Sequence, residues 1–138
     1  TVWRDELTLY RETASCAPNN FRVQYNLGNA YFRSGNLEGA LVHTEIAHSL
    51  RPDFPQTAYN LGVMYETAGR IEEAEQMYRE ALRLNPDYAQ AHNNLAATLC
   101  VQGQFEEAES EWRKALALDE NLQQAKEGLL LLKDRKSD

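Results

Sequence analysis

Apolar positions along the chain recur with a helical rather than a strand rhythm. Between Gln56 and Ala68, the residues Thr57, Leu61, Met64 and Tyr65 fall on one stripe of a helix. A second stripe runs through Ile71, Ala74, Tyr78, Ala81 and Leu82. Gly69, between the two, supplies the left-handed residue that ends a helix. Asn85-Pro86 stops the second segment, because proline disfavours helical backbone in the residue before it. The pattern predicts two helices, 56–68 and 71–84. Small residues at Gly62 and Ala74 let them approach, and Tyr65 and Tyr78 fill the space between.

This pair is one unit of a repeat. Pro18, Pro52 and Pro86 follow at a step of 34 residues, as do Gly35, Gly69 and Gly103. Leu27, Leu61 and Leu95 keep the same step, with Asn26, Asn60 and Asn94, Ala40, Ala74 and Ala108, and Ala47, Ala81 and Ala115. One hairpin cannot bury its own apolar face, so the units must stack. The order Leu61-Gly62, Tyr65, Ala74, Tyr78, Pro86 resembles the signature of the tetratricopeptide repeat (TPR) family. That resemblance implies an all-α fold, a right-handed superhelix of stacked antiparallel hairpins with about eight helices. Three repeats, 21–54, 55–88 and 89–122, occupy the block 19–122. Residues 1–18 are expected to form the second helix of a truncated repeat, from Trp3 to Ala17, with Tyr10 at the aromatic position. Residues 123–138 are expected to form a capping helix and tail, the helix running from Leu122 to Lys133. Several positions depart from the family pattern: Gln24, Ala58 and His92 stand where it favours a large apolar residue. Thr44 replaces an aromatic, Ala96 a glycine and Glu120 the closing proline. The chain opens at Thr1-Val2-Trp3-Arg4 without a methionine, which suggests a piece of a larger protein.

Composition narrows the functional classes. With 43% hydrophobic and 9% aromatic residues, the 138-residue chain has the means to build a core. Its net charge of −7 argues against nucleic acid or an anionic membrane surface as partner, since both demand surplus lysine and arginine. No apolar run reaches the ~18 residues of a membrane span, so no direct membrane contact is expected. No signal peptide opens the sequence, but in a piece of a larger protein that says little about location, which stays open with the cytoplasm only as the default. Cys16 and Cys100 are separated by several helices at about 8–10 Å each, too far for a disulfide, and are expected to be buried or half-buried thiols. His43 and His48, five apart, do not share a helical face, and His92 is expected to pack between repeats. No metal-ligand spacing, phosphate loop or nucleophile–base pair stands out. The expectation is a non-enzyme without metal or cofactor.

By the same resemblance, the first helix of each hairpin lines a concave groove. The candidate peptide-binding residues there are Arg22, Tyr25, Asn26, Asn29 and Arg33, then Tyr59, Asn60 and Val63, then Asn93 and Asn94. Phe32, Gln56, Glu66, Thr67, Gln90, Ala97, Cys100 and Val101 complete the register. Asparagine carries both donor and acceptor and can pair with a peptide backbone whatever its side chains; tyrosine adds apolar area with a polar tip. Asn26, Asn60 and Asn94 form a ladder similar to that of the O-linked N-acetylglucosamine transferase repeats; it either contacts peptide or supports the neighbouring hairpin. The family's carboxylate clamp needs two asparagines, here Asn29 and Asn60, and three basic residues. Those three places hold Tyr25, Gln90 and Asn94, so a carboxylate would lack charged partners. The glutamates of the second helices, including Glu72, Glu73, Glu75, Glu80, Glu106, Glu107, Glu109 and Glu111, read as a solvated convex face. Leu129 to Leu132 are more apolar than one stripe requires. The expected function is a protein–protein interaction module that holds a peptide segment of a partner. The alternative is an architectural part of a larger, membrane-anchored or glycosyltransferase-like protein, self-associating through Leu130, Leu131 or the N-terminal helix.

Overall fold

A computed structural model describes residues 2–137, with side chains from residue 6 onward. Eight helices follow one another among the described residues: α1 Val2–Cys16, α2 Phe21–Arg33, α3 Leu37–Leu50, α4 Pro55–Thr67, α5 Ile71–Leu84, α6 Ala89–Val101, α7 Phe105–Leu118 and α8 Gln123–Ser137. Three hairpins form, α2 on α3, α4 on α5 and α6 on α7, and they join through α3 against α4 and α5 against α6. At the two ends α1 packs on α2, and α8 packs on α7 and touches α6.

Each hairpin turns in the same way. Its glycine, Gly35, Gly69 or Gly103, has φ of +85°, +77° or +81°, a region that side chains resist. The following N–H bonds five residues back, Asn36 to Tyr31, Arg70 to Tyr65 and Gln104 to Leu99, each at 2.9 Å. This closes the last carbonyls of the first helix. Helix starts are fixed locally as well. The Asn20 and Asn36 side chains accept from the N–H groups of Val23 and Gly39. Pro55 opens α4 where no N–H is needed.

Packing within a hairpin depends on a small residue in the first helix facing a larger one in the second. A Cβ added at Gly62 would stand 2.5 Å from the Tyr78 ring, which is fully buried. Gly28 faces Thr44 in the same way. In the third hairpin the equivalent of Tyr78 is Trp112, whose longer indole reaches past α6 to α8. A Cβ on Gly128 would lie 2.4 Å from that ring. Leu61, Tyr65, Leu95, Leu99, Trp112 and Leu132 belong to one continuous core.

The ends differ from expectation in detail. α8 runs one turn beyond Lys133 because its last residues find partners on α7: Lys136 pairs with Glu109 at 2.8 Å and Arg135 lies over the Phe105 ring. Leu132 is buried and Leu129 half-buried, whereas Leu130 and Leu131 are 60% and 70% exposed. Cys100 is half-buried as expected, but Cys16 is exposed at the end of α1, which packs mainly against α2. The Trp3 side chain lies outside the described residues. No helix among the described residues is long and apolar enough to cross a membrane.

Candidate functional site

Of the ladder residues on the first helices, Asn60 and Asn94 are each tied by hydrogen bonds to the preceding repeat. Asn60 donates through Nδ2 to the Tyr25 hydroxyl and to Asn29 Oδ1, both at 3.3 Å, while its Oδ1 accepts from Gln56 at 2.9 Å. Asn94 donates to the Tyr59 hydroxyl at 3.1 Å and to that of Tyr78 at 3.4 Å. Tyr25 and Tyr59 each stand 35 residues before the asparagine that donates to them, and Tyr78 stands 16 before Asn94. Asn26 has no such tyrosine before it, and its side chain shows no hydrogen bond among the described residues. Asn93 is buried, bonded to Asn94, to Gln124 of α8 and to the Trp112 indole N–H, and it forms the floor of the groove.

Two open recesses flank this row. At the N-terminal end, Arg22, Tyr25 and Asn26 share a recess of about 520 Å³ with Phe21, Arg51 and Phe54. The three aromatic rings there lie 5.4 to 5.9 Å apart, and the Arg51 guanidinium covers Phe21 and Phe54 at 5.2 and 5.4 Å. Arg33 is engaged with Glu6 of α1 at 3.2 Å. At the other end, Asn93 and Asn94 line a recess of about 440 Å³ with Glu66, Ala97, Trp112 and the inner residues of α8. Tyr59 lies between the two recesses, stacked on Tyr88 at 5.0 Å, and Val63 of the same helix is half-buried. Burial raises the Tyr59 hydroxyl above its ordinary pKa and takes that of Tyr88 to about 12, so both remain neutral, Tyr59 accepting from Asn94 and Tyr88 donating to Gln56. Tyr78 moves further in the same direction, by burial and by donating to Glu66 at 2.6 Å.

Sequence reasoning missed two features. One is the inner face of α8, where Gln124, Glu127 and Leu131 continue the register of Gln90, Asn93 and Ala97. The step of 34 residues, carried once more, would have found them. The other is a buried polar pair that recurs within hairpins. Gln24 bonds to the Pro18 carbonyl at 2.9 Å and lies 2.7 Å from His43 Nδ1. His92 sits likewise, with Nε2 2.7 Å from the Pro86 carbonyl and Nδ1 2.6 Å from Glu111. In the second repeat the same places hold the apolar residues Ala58 and Met77. Glu111 is therefore buried rather than on the solvated outer face. Burial opposes its charge, yet hydrogen bonds from His92 and Lys114 outweigh that and hold its carboxyl below the ordinary glutamate range. The departures at Gln24 and His92, each with a polar residue 19 places on, were the available signal.

No group of three or more His, Cys, Asp or Glu among the described residues could hold a metal ion. What the inner face offers is hydrogen-bonding side chains, aromatic surface and two recesses.

Sequence patterns described as tetratricopeptide repeat match residues 21–54, 55–88 and 77–110. A comparison with curated proteins finds no match. Among solved structures, "Crystal structure of MamA" superposes with a TM-score of 0.93 at 20% identity, over 98% of this chain and 79% of that one. The first TPR of Spaghetti (RPAP3) bound to the HSP90 peptide SRMEEVD gives 0.82 at 23%, over 86% and 94%. The Arabidopsis OM64 TPR domain gives 0.80 at 19%, over 83% and 95%. With repeat patterns matched over residues 21–110, the turn geometry common to its hairpins and these structural neighbours, the chain belongs to the tetratricopeptide-repeat family.

Proposed function

We propose that this chain is a non-catalytic peptide-binding module whose inner groove takes a segment of a partner protein. The observation that carries the reading is the continuity of the inner face. Half-buried tyrosine, asparagine and small aliphatic side chains run unbroken from the recess at Arg22 and Asn26 to the one at Asn94 and Ala97. Peptide binding by the RPAP3 repeats, a neighbour of the same fold, supports it. That neighbour's peptide is rich in carboxylates, whereas the clamp positions here hold Tyr25, Gln90 and Asn94. Of the two clamp asparagines, Asn60 already donates to Asn29. The groove is therefore suited to a mid-chain segment rather than a terminal carboxylate.

The test is retention of proteins from a lysate, comparing the parent with a Val63→Arg/Ala97→Arg variant. These side chains obstruct the groove without removing any hydrogen bond between repeats. A protein held by the parent and lost by the folded variant supports the groove. Equal retention by both shifts the site elsewhere.

A second reading rests on the exposure of Leu130 and Leu131. It makes the chain a self-associating architectural element, and sedimentation of the parent beside a Leu130→Gln/Leu131→Gln variant decides it. A parent dimer that dissociates in the variant supports self-association, and a monomeric parent removes it.

A further inference from the structure

We infer that the C-terminal half of the groove selects a basic, aliphatic peptide segment, one in which lysine or arginine side chains flank leucine-like ones. This deepens the groove reading above and rests on it.

The apolar part of the argument comes from one register position. At the ninth place of successive first helices stand Asn29, Val63, Ala97 and Leu131, so the inner face grows more apolar toward α8. Leu131 is 70% exposed, and Val101, at the end of α6, is 72% exposed. The ladder position in α8 is Gly128 instead of asparagine. With the Trp112 indole beneath it, the last rung is an opening rather than an amide.

The charge comes from Glu66 and Glu127, the only ionisable residues that line this recess. Their bonds are to neutral donors: the Tyr78 hydroxyl at 2.6 Å for Glu66 and the Gln123 amide at 3.2 Å for Glu127. Neither has an ion-pair partner among the described residues. Five carboxylates of the outer face differ. Glu73, Glu75, Glu80, Glu107 and Glu109 each pair with an arginine or lysine of this chain. The nearby cation of α8, Arg135, is turned onto Phe105 of α7. A recess with an aliphatic side at Ala97 and Leu131, two carboxylates and no cation complements a segment of opposite charge. The indole floor also suits a guanidinium or ammonium group.

Fluorescence anisotropy with three labelled 12-residue peptides tests this: alternating Leu-Lys, Leu-Gln and Leu-Glu. The protein is used as the full chain, beside Glu66→Gln/Glu127→Gln and, as control, Glu72→Gln/Glu106→Gln on the outer face. Thermal melts establish that each variant is folded. The expected result is Leu-Lys binding roughly five- to tenfold tighter than Leu-Gln. That preference is lost in Glu66→Gln/Glu127→Gln, kept in the outer-face control and weakened by salt. Equal binding of Leu-Lys and Leu-Gln overturns the inference but leaves the groove reading standing. So does a preference that survives in Glu66→Gln/Glu127→Gln or disappears equally in the control, since attraction to the overall negative charge would explain it. If no peptide binds, the inference falls as well, and the lysate comparison with Val63→Arg/Ala97→Arg judges the groove separately.

Discussion

Single side chains in this repeat are set by what faces them across the hairpin. Thr44 occupies the place held by Tyr78 and Trp112 in the other repeats, and its buried hydroxyl has no hydrogen-bond partner. Thr44→Val removes that unpartnered group at nearly constant shape. It should raise stability by about 1 kcal/mol in urea unfolding, and a loss of stability would show that the hydroxyl is satisfied. Glu111 gives a pH prediction. Its folded-state pKa lies below the unfolded value, so its contribution is present above the unfolded pKa and lost as pH falls through the folded one. Glu111→Gln should therefore cost about 1–3 kcal/mol near neutrality. The gap to the parent should narrow below about pH 4.3, the ordinary glutamate pKa. A gap in unfolding midpoints that stays constant with pH would contradict this. Glu111 was illegible as a buried residue because it sits among seven other glutamates of the second helices. Only its pairing with His92 across the hairpin, a contact 19 residues apart, separates it from them.

Helix ends and turns were the legible level, because glycine and proline mark them chemically. Gly35, Gly69 and Gly103, spaced by 34, foretold three turns of one geometry, and the turns appear with matching hydrogen bonds. The site was less legible. The sequence register put Asn60 and Asn94 on the inner face, but it could not tell that their amides bond to tyrosines of the preceding repeat. That depends on reach across a junction, which no local pattern encodes. The junction of α7 with α8 carries a prediction of its own. Gly128 is glycine because the Trp112 indole occupies the volume a Cβ would take. Gly128→Ala should destabilise the chain by about 1–3 kcal/mol, as overpacking does. In a Trp112→Tyr background, where the ring is shorter, the same change should cost less. Equal costs in both backgrounds, measured by urea unfolding, would place the constraint elsewhere.

Across the whole molecule, stability is a sum over hairpins and the junctions between them. The largest fully buried side chains concentrate in the middle, with Leu61, Met64, Tyr78, Leu95 and Leu99 on α4 to α6. α1 is held mainly by α2, with Leu9 and Cys16 exposed. Hydrogen exchange should be slowest in α4 to α6 and fastest in α1. Uniform exchange along the chain would mean that the array opens as one unit. The bonds from Asn60 and Asn94 back to the preceding repeat have a mechanical consequence. They all lie on the inner side of the stack, so flexing that spreads the groove must stretch them, while flexing that narrows it relaxes them. Asn60 has two such links, both at 3.3 Å, and Asn94 has two, at 3.1 and 3.4 Å, so both junctions work near the long end of the hydrogen-bond range. The array is thus a one-sided spring, stiffer against opening of the groove than against closing it, at both junctions between its repeats.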